Sequence, residues 1–314
     1  MKHTIDKNYF PGWVRKSVSF TIDDGNLEMD RKFLDIVRPA GIIGTFNLCS
    51  PTGMTPEEYR EMYRGYEINN HVRLHPELMV PDSGYIFSED PFDPETADVK
   101  TLYRHPTEKG VWKVSGHYYD IDPKRWLTIV DTENYNRLLD ETKVNLEAVF
   151  GEGSVRGFVW PFGQQIDHKG VTAHVRESGY YGARDAGYPV KSFSLPEDRF
   201  SWKYCANHRN LLTVMADYEA LPDDGELKFY SFGVHSIDYE RDGKWDDLRE
   251  FAEKYGNRPE EFYYASIGDI FDYEDAISAL KVTDSEIINE SNLTLYLKVD
   301  GEQITVAPKT TYKL

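Results

Sequence analysis

An α/β fold built on parallel strands is the class this sequence predicts, and three observations predict it. Runs rich in β-branched and aromatic residues alternate with stretches of helical spacing. The first such run ends in two adjacent carboxylates and a glycine, and a two-residue alternation broken by a hairpin turn marks the far end of the chain.

Residues 17–23, SVSFTID, read as a strand from their β-branched and aromatic content. Residues 30–38 carry helical spacing through Phe33, Leu34 and Val37, and IIGTFNL at 42–48 forms the next strand. Strand, helix and strand in that order make a parallel βαβ unit. The cycle then returns: NYNRLLDETKVNLEAVF (134–150) runs into RGFVWPF, VTAHVRESG (171–179) into YYGAR, and WDDLREFAEKYG (245–256) into EFYYASIGDIFDYEDAISAL.

Two regions break the cycle. Residues 77–133 are rich in Pro, Asp and Tyr without a clear period, and are too long for an ordinary connection. A structured insertion or a lid is expected there. At the other break, Leu293, Leu295, Leu297 and Val299 alternate, Asp300-Gly301 supplies a hairpin turn, and Ile304 and Val306 resume the alternation. Residues 1–280 are therefore expected as one α/β domain carrying the insertion, with 281–314 as a small β appendage.

Charge narrows the partners. With 54 acidic side chains against 36 Lys and Arg, the net charge of -18 repels a phosphate backbone, and no basic cluster overrides it locally. Nucleic acid is not an expected partner. The 22 Tyr and 6 Trp offer faces that suit sugar rings as well as a core. Cys49 and Cys205 lie far apart in sequence and read as free thiols. The opening MKHTIDKNYFPGW lacks the apolar run of a signal peptide, and no stretch of about 18 apolar residues occurs. A cytoplasmic location without membrane association is the expectation.

The chemistry concentrates in two short motifs. TIDDG at 21–25 puts two carboxylates at the end of an apolar strand, where α/β folds place catalytic groups. Adjacent residues leaving a strand point in different directions, so Asp23 and Asp24 can hold different jobs, one binding a cation and the other taking protons. In NNHVRLHP at 69–76, His71 and His75 stand four apart. On a helix, or on a tight turn stopped by Pro76, both imidazoles face one way, within reach of a single ion at about 2.0–2.1 Å each. Two His and one Asp leave positions open for water and substrate. That donor set suits Zn²⁺ first, with Co²⁺, Ni²⁺ or Fe²⁺ also accommodated.

Taken together, the motifs resemble those of the polysaccharide deacetylase superfamily, the NodB homology domain of carbohydrate esterase family 4. TIDDG is similar to that family's TFDDG, and GYEINNHVRLHP to its GHEIGNHTxxHP segment. GIIGTFNL resembles the strand after the first helix; WPFG at 160–163, GYYGARD at 179–185 and SFGVHS at 231–236 resemble the third, fourth and fifth motifs in order. YYASIGDIFDY at 263–273 is similar to a segment that often follows. The resemblance covers roughly residues 12–280 and implies a distorted (β/α) barrel. It implies metal binding by Asp24, His71 and His75, Asp23 as general base and His235 as general acid. Trp160, Pro161 and Phe162 would then border the substrate, with a backbone N–H near Phe162 receiving the oxyanion.

One departure is specific. The family's third motif carries an Arg four residues before its Gly to orient the base, and here that place is Val159. Arg184 is the candidate replacement, because a guanidinium holds a carboxylate bidentately and keeps it ionised. Asp185 is an alternative partner for His235. SWKYCANHRN at 201–210 resembles a Cys-His segment of a bacterial subgroup and makes His208 a candidate substrate residue. In the insertion, His105 and His117 read as solvated histidines, Asp82 and Asp90 as soluble surface, and its tyrosines as faces able to stack on a sugar.

These features converge on a metal-dependent hydrolase that removes acetyl groups from an N-acetylated or O-acetylated carbohydrate. Hydrolysis of a non-sugar amide or cyclic amide is the rival within the superfamily. A non-catalytic carbohydrate-binding protein on the same fold is the rival from another class.

Overall fold

Strand Lys16–Asp24 shows how the molecule is layered. Val18, Phe20 and Ile22 are buried on one face, and Ser17, Ser19, Thr21 and Asp23 are buried on the other. The apolar face packs with Phe33, Leu34 and Val37 of helix Leu27–Val37 and with Phe46 and Phe232 of neighbouring strands in the main core. The polar face looks the other way. Residues 3–79, 84–93, 95–98, 100–115, 126–163, 169–185 and 187–314 are described in this computed structural model.

Among the described residues, seven parallel strands form the central sheet. Its order is Ala183–Arg184, Phe158–Val159, Glu67–Asn70, Thr45–Leu48, Lys16–Asp24 and Lys228–His235, with Phe262–Tyr264 pairing the start of Lys16–Asp24. Three strands separate Arg184 from Thr21 along this path, yet Arg184 Nε donates to Thr21 Oγ1 over 3.0 Å. The sheet must therefore curl until its polar faces meet. Segment 199–206 closes the ring: Ala183 N and Asp185 N donate to Arg199 O and Trp202 O, while Cys205 N donates to Ser231 O and Gly233 N to Ala206 O. Two isolated bridges, Arg184 with Trp202 and Ala206 with Phe232, stand where a regular barrel has a full strand. The fold is a distorted (β/α) barrel.

Helices Thr132–Phe150, Lys169–Glu177 and Trp245–Tyr255 lie where the helical spacing placed them. The segment after the last of these divides into strand Phe262–Tyr264 and helix Ile267–Ser278. Because all central strands are parallel, their carboxyl ends gather Asp24, Asn70, Val159, Arg184 and His235 at one end of the barrel.

The long aperiodic stretch contains a five-stranded sheet, ordered Pro76–Leu78, Trp126–Val130, Val111–Ser115, Thr101–Arg104 and Ile86–Pro91. Leu102, Val114, Leu127 and Ile129 give it a small core of its own. At the other extreme, Leu295–Val299 and Glu302–Val306 form a hairpin whose turn residues Asp300 and Gly301 have φ of 50° and 89°. Strand Ile5–Tyr9 pairs with this hairpin, so both chain ends build the appendage expected from 281–314 alone. Ile287, Leu295, Leu297 and Val306 share one core with Phe10, Ile270 and Phe271, which fastens the appendage to helix Ile267–Ser278. Among the described residues no helix is long and apolar enough to cross a membrane.

Candidate metal and catalytic site

Asp23 and Asp24 end their strand with different surroundings. Asp23 stays on the buried polar face, whereas Asp24 turns out of the strand with φ of 76°, in the left-handed region that a non-glycine residue seldom adopts. Gly25 follows at φ 78° and completes the turn, and a Cβ there would meet Leu48 Cδ2 at 2.9 Å.

The two histidines sit on a tight turn, not on a helix. Val72, Leu74 and His75 have φ of 52°, 68° and 44°, so the four-residue spacing is bridged by left-handed backbone. Asn70 Oδ1 accepts from Val72 N over 2.9 Å, and Asn70 Nδ2 donates to Leu139 O and Tyr180 Oη. His71 is fully buried, and its Nδ1 lies 3.0 Å from Val159 O. A ring nitrogen facing a carbonyl must carry the proton, which leaves Nε2 with a free lone pair. That Nε2 lies 3.4 Å from Asp24 Oδ1, and His75 Nε2 lies 3.7 Å from the same oxygen.

A divalent ion fits these residues. The ligand atoms of Asp24, His71 and His75 all lie within 4.8 Å of one another. Among the described residues His71 Nε2 and Asp24 Oδ1 are buried without a hydrogen-bond partner, a costly arrangement unless an ion bridges them. Burial, with the charge of His235, pushes His75 down to about 3, so its ring is neutral as a ligand must be. For Asp24, burial works to raise the pKa but the approach of His71 and the charge of His235 win, holding the carboxylate well below its usual range.

Asp23 is held for a different purpose. Its Oδ1 accepts from Asn47 Nδ2 over 2.8 Å and from the Arg184 guanidinium. Arg184 is 1% exposed and its guanidinium stands 5.1 Å from the Tyr204 ring centroid. Burial raises the Asp23 pKa, but the charge of Arg184 opposes it with that of His235, and the net shift is downward. Val159 and Arg184 are register partners on adjacent strands. The guanidinium thus enters beside the position where the related motif carries its Arg.

His235 is the register partner of Asp23 on the opposite neighbouring strand. Its Nε2 lies 3.7 Å from Asp24 Oδ2, and its Nδ1 meets Asp238 Oδ2 at 3.0 Å. Burial lowers its pKa, yet the hydrogen bond to Asp238 and the charges of Asp24 and Asp23 carry it up to about 9. Asp238 was not singled out in the sequence, although the i, i+3 spacing from a histidine that begins a helix is a readable signal. Asp185, the alternative partner, accepts from Gly187 N over 2.8 Å and pairs with Lys203 at 3.3 Å.

The expected substrate residues separate. Phe162 is exposed, has φ of 58°, and stands edge-on to His75 with centroids 4.4 Å apart. Trp160 does not join it: the indole is buried in the main core against Phe158 and Tyr135, because strand alternation sends it to the helix layer. Pro161 is buried between them. His208 is likewise turned inward, with Nε2 on Asp242 at 2.7 Å and its ring against Tyr239, so it offers no open face to a ligand. His105 accepts from the Thr107 and Glu108 amides in an exposed turn, and Asp90 is exposed beside Ser88. Asp82 and His117 lie outside the described residues. Cys205 is buried and Cys49 half-buried, both as free thiols.

Comparison with known proteins bears on this arrangement. The family described as polysaccharide deacetylase matches residues 14–183, more than half of the chain. No curated protein matches the sequence. Among solved structures, the chain is similar to a CE4 esterase of Streptococcus mutans at 14% identity and a TM-score of 0.45, covering 80% of this chain and 86% of that one. It is similar to the Xyl-CE4 domain of a multidomain xylanase from the hindgut metagenome of Trinervitermes trinervoides at 12% identity and a TM-score of 0.46, covering 83% and 92%. A chitin deacetylase from the fungal pathogen Colletotrichum lindemuthianum matches at 13% identity and a TM-score of 0.43, covering 84% and 88%.

Proposed function

Since the chain belongs to the polysaccharide deacetylase family of hydrolases, we propose that it removes acetyl groups from an N-acetylated carbohydrate with the help of a divalent ion. One observation carries this reading: Asp23, Asp24, His71, His75 and His235 meet at the carboxyl end of the barrel, with two buried ligand atoms that have no hydrogen-bond partner among the described residues. Asp24, His71 and His75 would hold the ion. When bound, it lowers the pKa of water and polarises an acyl oxygen.

Each remaining residue has a task of its own. Asp23, kept ionised by Arg184 and Asn47, takes the proton of the attacking water. A guanidinium that holds only one carboxylate oxygen leaves the other for this work. His235, charged at neutral pH through Asp238, Asp24 and Asp23, gives a proton to the departing nitrogen. Val159 contributes through its backbone, fixing the His71 tautomer with its carbonyl. Phe162, edge-on to His75 and exposed, offers an apolar face beside the reacting acyl group, and the chain turn at Phe162 brings a backbone N–H toward the oxyanion.

Zn²⁺ is the first choice for two imidazoles and a carboxylate, with Co²⁺, Ni²⁺ and Fe²⁺ as working substitutes. Acetate release from mono-, oligo- and polymeric N-acetyl and O-acetyl sugars tests the reading. N-acetyl sugars are expected to be the substrates; a protein that loads metal yet frees no acetate from any of them overturns it.

A further inference from the structure

The turn that carries His71 and His75 is strained, since three of its residues are left-handed and one of them, Val72, is β-branched. Such a turn persists only where its surroundings leave no alternative. Some of the restraint comes from the barrel: Asn70 holds Val72 N, Thr142 Oγ1 accepts from Arg73 N at 2.8 Å, and Val72 is fully buried. The rest comes from the side chain of Arg73, which stands between the two histidines in sequence. Its Nη1 and Nη2 donate to both oxygens of Glu108 at 2.9 and 3.0 Å, and its Nε donates to Glu141 at 2.9 Å.

The two carboxylates belong to different parts of the molecule. Glu141 lies on helix Thr132–Phe150 of the barrel, whereas Glu108 lies in the insertion, between strands Thr101–Arg104 and Val111–Ser115. Arg137 reinforces the join, donating to Glu141 at 2.9 Å, to Lys109 O at 3.3 Å, and approaching Glu108 at 3.7 Å. The Glu108 turn is itself organised by His105, which accepts from the Glu108 amide at 3.1 Å. Isolated surface ion pairs contribute little, but Arg73 is only 19% exposed and its pairing with Glu108 is two-pronged. No single break frees it.

We propose that Arg73 is a positioning residue which, through Glu108, makes the insertion a brace for the His71–His75 turn, so that metal affinity depends on an element outside the barrel. The inference rests on the metal site of the functional reading but not on the substrate. With the brace in place, the cost of ordering the turn is met during folding. Without it, part of that cost falls on metal binding and weakens it.

Full-length protein stripped of metal and titrated with Co²⁺, followed by calorimetry and visible absorption beside the melting temperature of the metal-free form, tests this. Arg73→Met is expected to weaken Co²⁺ binding about 10- to 100-fold, the range for a group that supports a ligand from behind. Glu108→Gln weakens it less, the double variant is no weaker than Arg73→Met, and Arg73→Lys recovers part of the loss. The metal-free melting temperature stays near that of the parent. Unchanged Co²⁺ affinity in either single variant overturns the proposal, as does a loss that tracks melting temperature and is not eased by Arg73→Lys. Parent protein that binds Co²⁺ but frees no acetate defeats the substrate reading alone, while parent protein that binds no Co²⁺ defeats both.

Discussion

The two ends of the barrel each bury a carboxylate oxygen, and they treat it in opposite ways. At the amino end of the strands, Glu67 Oε2 accepts from Thr45 Oγ1, Gly268 N and Tyr181 Oη, and helix Ile267–Ser278 plugs the opening with its N-terminus. At the carboxyl end, Asp24 Oδ1 faces the imidazoles of His71 and His75, and neither it nor Glu67 Oε1 has a hydrogen-bond partner among the described residues. Left-handed non-glycine backbone clusters around the open end at Asp24, Val72, Leu74, His75 and Phe162, while the segments leading into the strands carry it singly, at Trp13 and Asn257. A buried acid is structural where the fold brings donors to it. It becomes a ligand where the fold brings acceptors and lone pairs instead.

Substitutions at the two ends should therefore separate activity from stability. Asp23→Asn is expected to lower kcat by about 10²- to 10⁴-fold while metal binding persists, because only the proton acceptor is lost. Parent-like turnover in that variant would break the comparison at its active end. Arg184→Met comes next: it leaves Asp23 buried beside a lost cation, so destabilisation of about 3–5 kcal/mol by chemical denaturation should accompany a fall in turnover. If Arg184→Met leaves turnover untouched, Arg184 does not tune the base. A smaller effect, about tenfold on kcat with KM little changed, is expected for Asp238→Asn, which weakens the hold on His235 Nδ1 without removing the ring.

The least effect on catalysis belongs to Glu67→Gln. Burial, against the hydrogen bonds of Thr45 and Gly268, raises Glu67 to about 7 from the ordinary 4.5. Between those values the folded protein keeps a proton that the unfolded chain has released, so stability falls as pH rises through this window and levels off above it. The contribution lost is roughly 3 kcal/mol at most. Glu67→Gln removes this titration, and its melting temperature should decline less between pH 5 and 8 than that of the parent, with kcat unchanged. A parallel decline in both proteins would place the titration elsewhere.

Much of the open end could be read in the sequence, because its chemistry comes in short local motifs. Adjacent carboxylates after SVSFT, two histidines four apart and a histidine closing SFGV are patterns of neighbours. The helices were legible for the same reason: Phe33, Leu34 and Val37 mark a face without reference to the rest of the chain. What escaped depends on distant partners or on unusual backbone. Left-handed φ at Val72 and Leu74 has no residue signature, since neither is Gly or Asn. The sheet in 77–133 was hidden because its strands are short and mix exposed aromatic with charged residues, as in Ile86–Pro91. Trp160 was placed at the substrate by its motif neighbours, and only strand alternation in three dimensions sends it into the core. Strand Ile5–Tyr9 could not be assigned to the appendage from spacing, because its partner lies at the opposite end of the chain.

The proposed hydrolysis of an acetyl amide at the open end runs through a divalent ion held by Asp24, His71 and His75. Metal-stripped protein, reloaded with increasing Zn²⁺ and assayed for acetate release from an N-acetylated oligosaccharide, tests it most directly. Activity should rise from nothing to a plateau at one equivalent, and Asp24→Ala should neither bind the ion nor release acetate. Full activity in the stripped protein, or in Asp24→Ala, would contradict it.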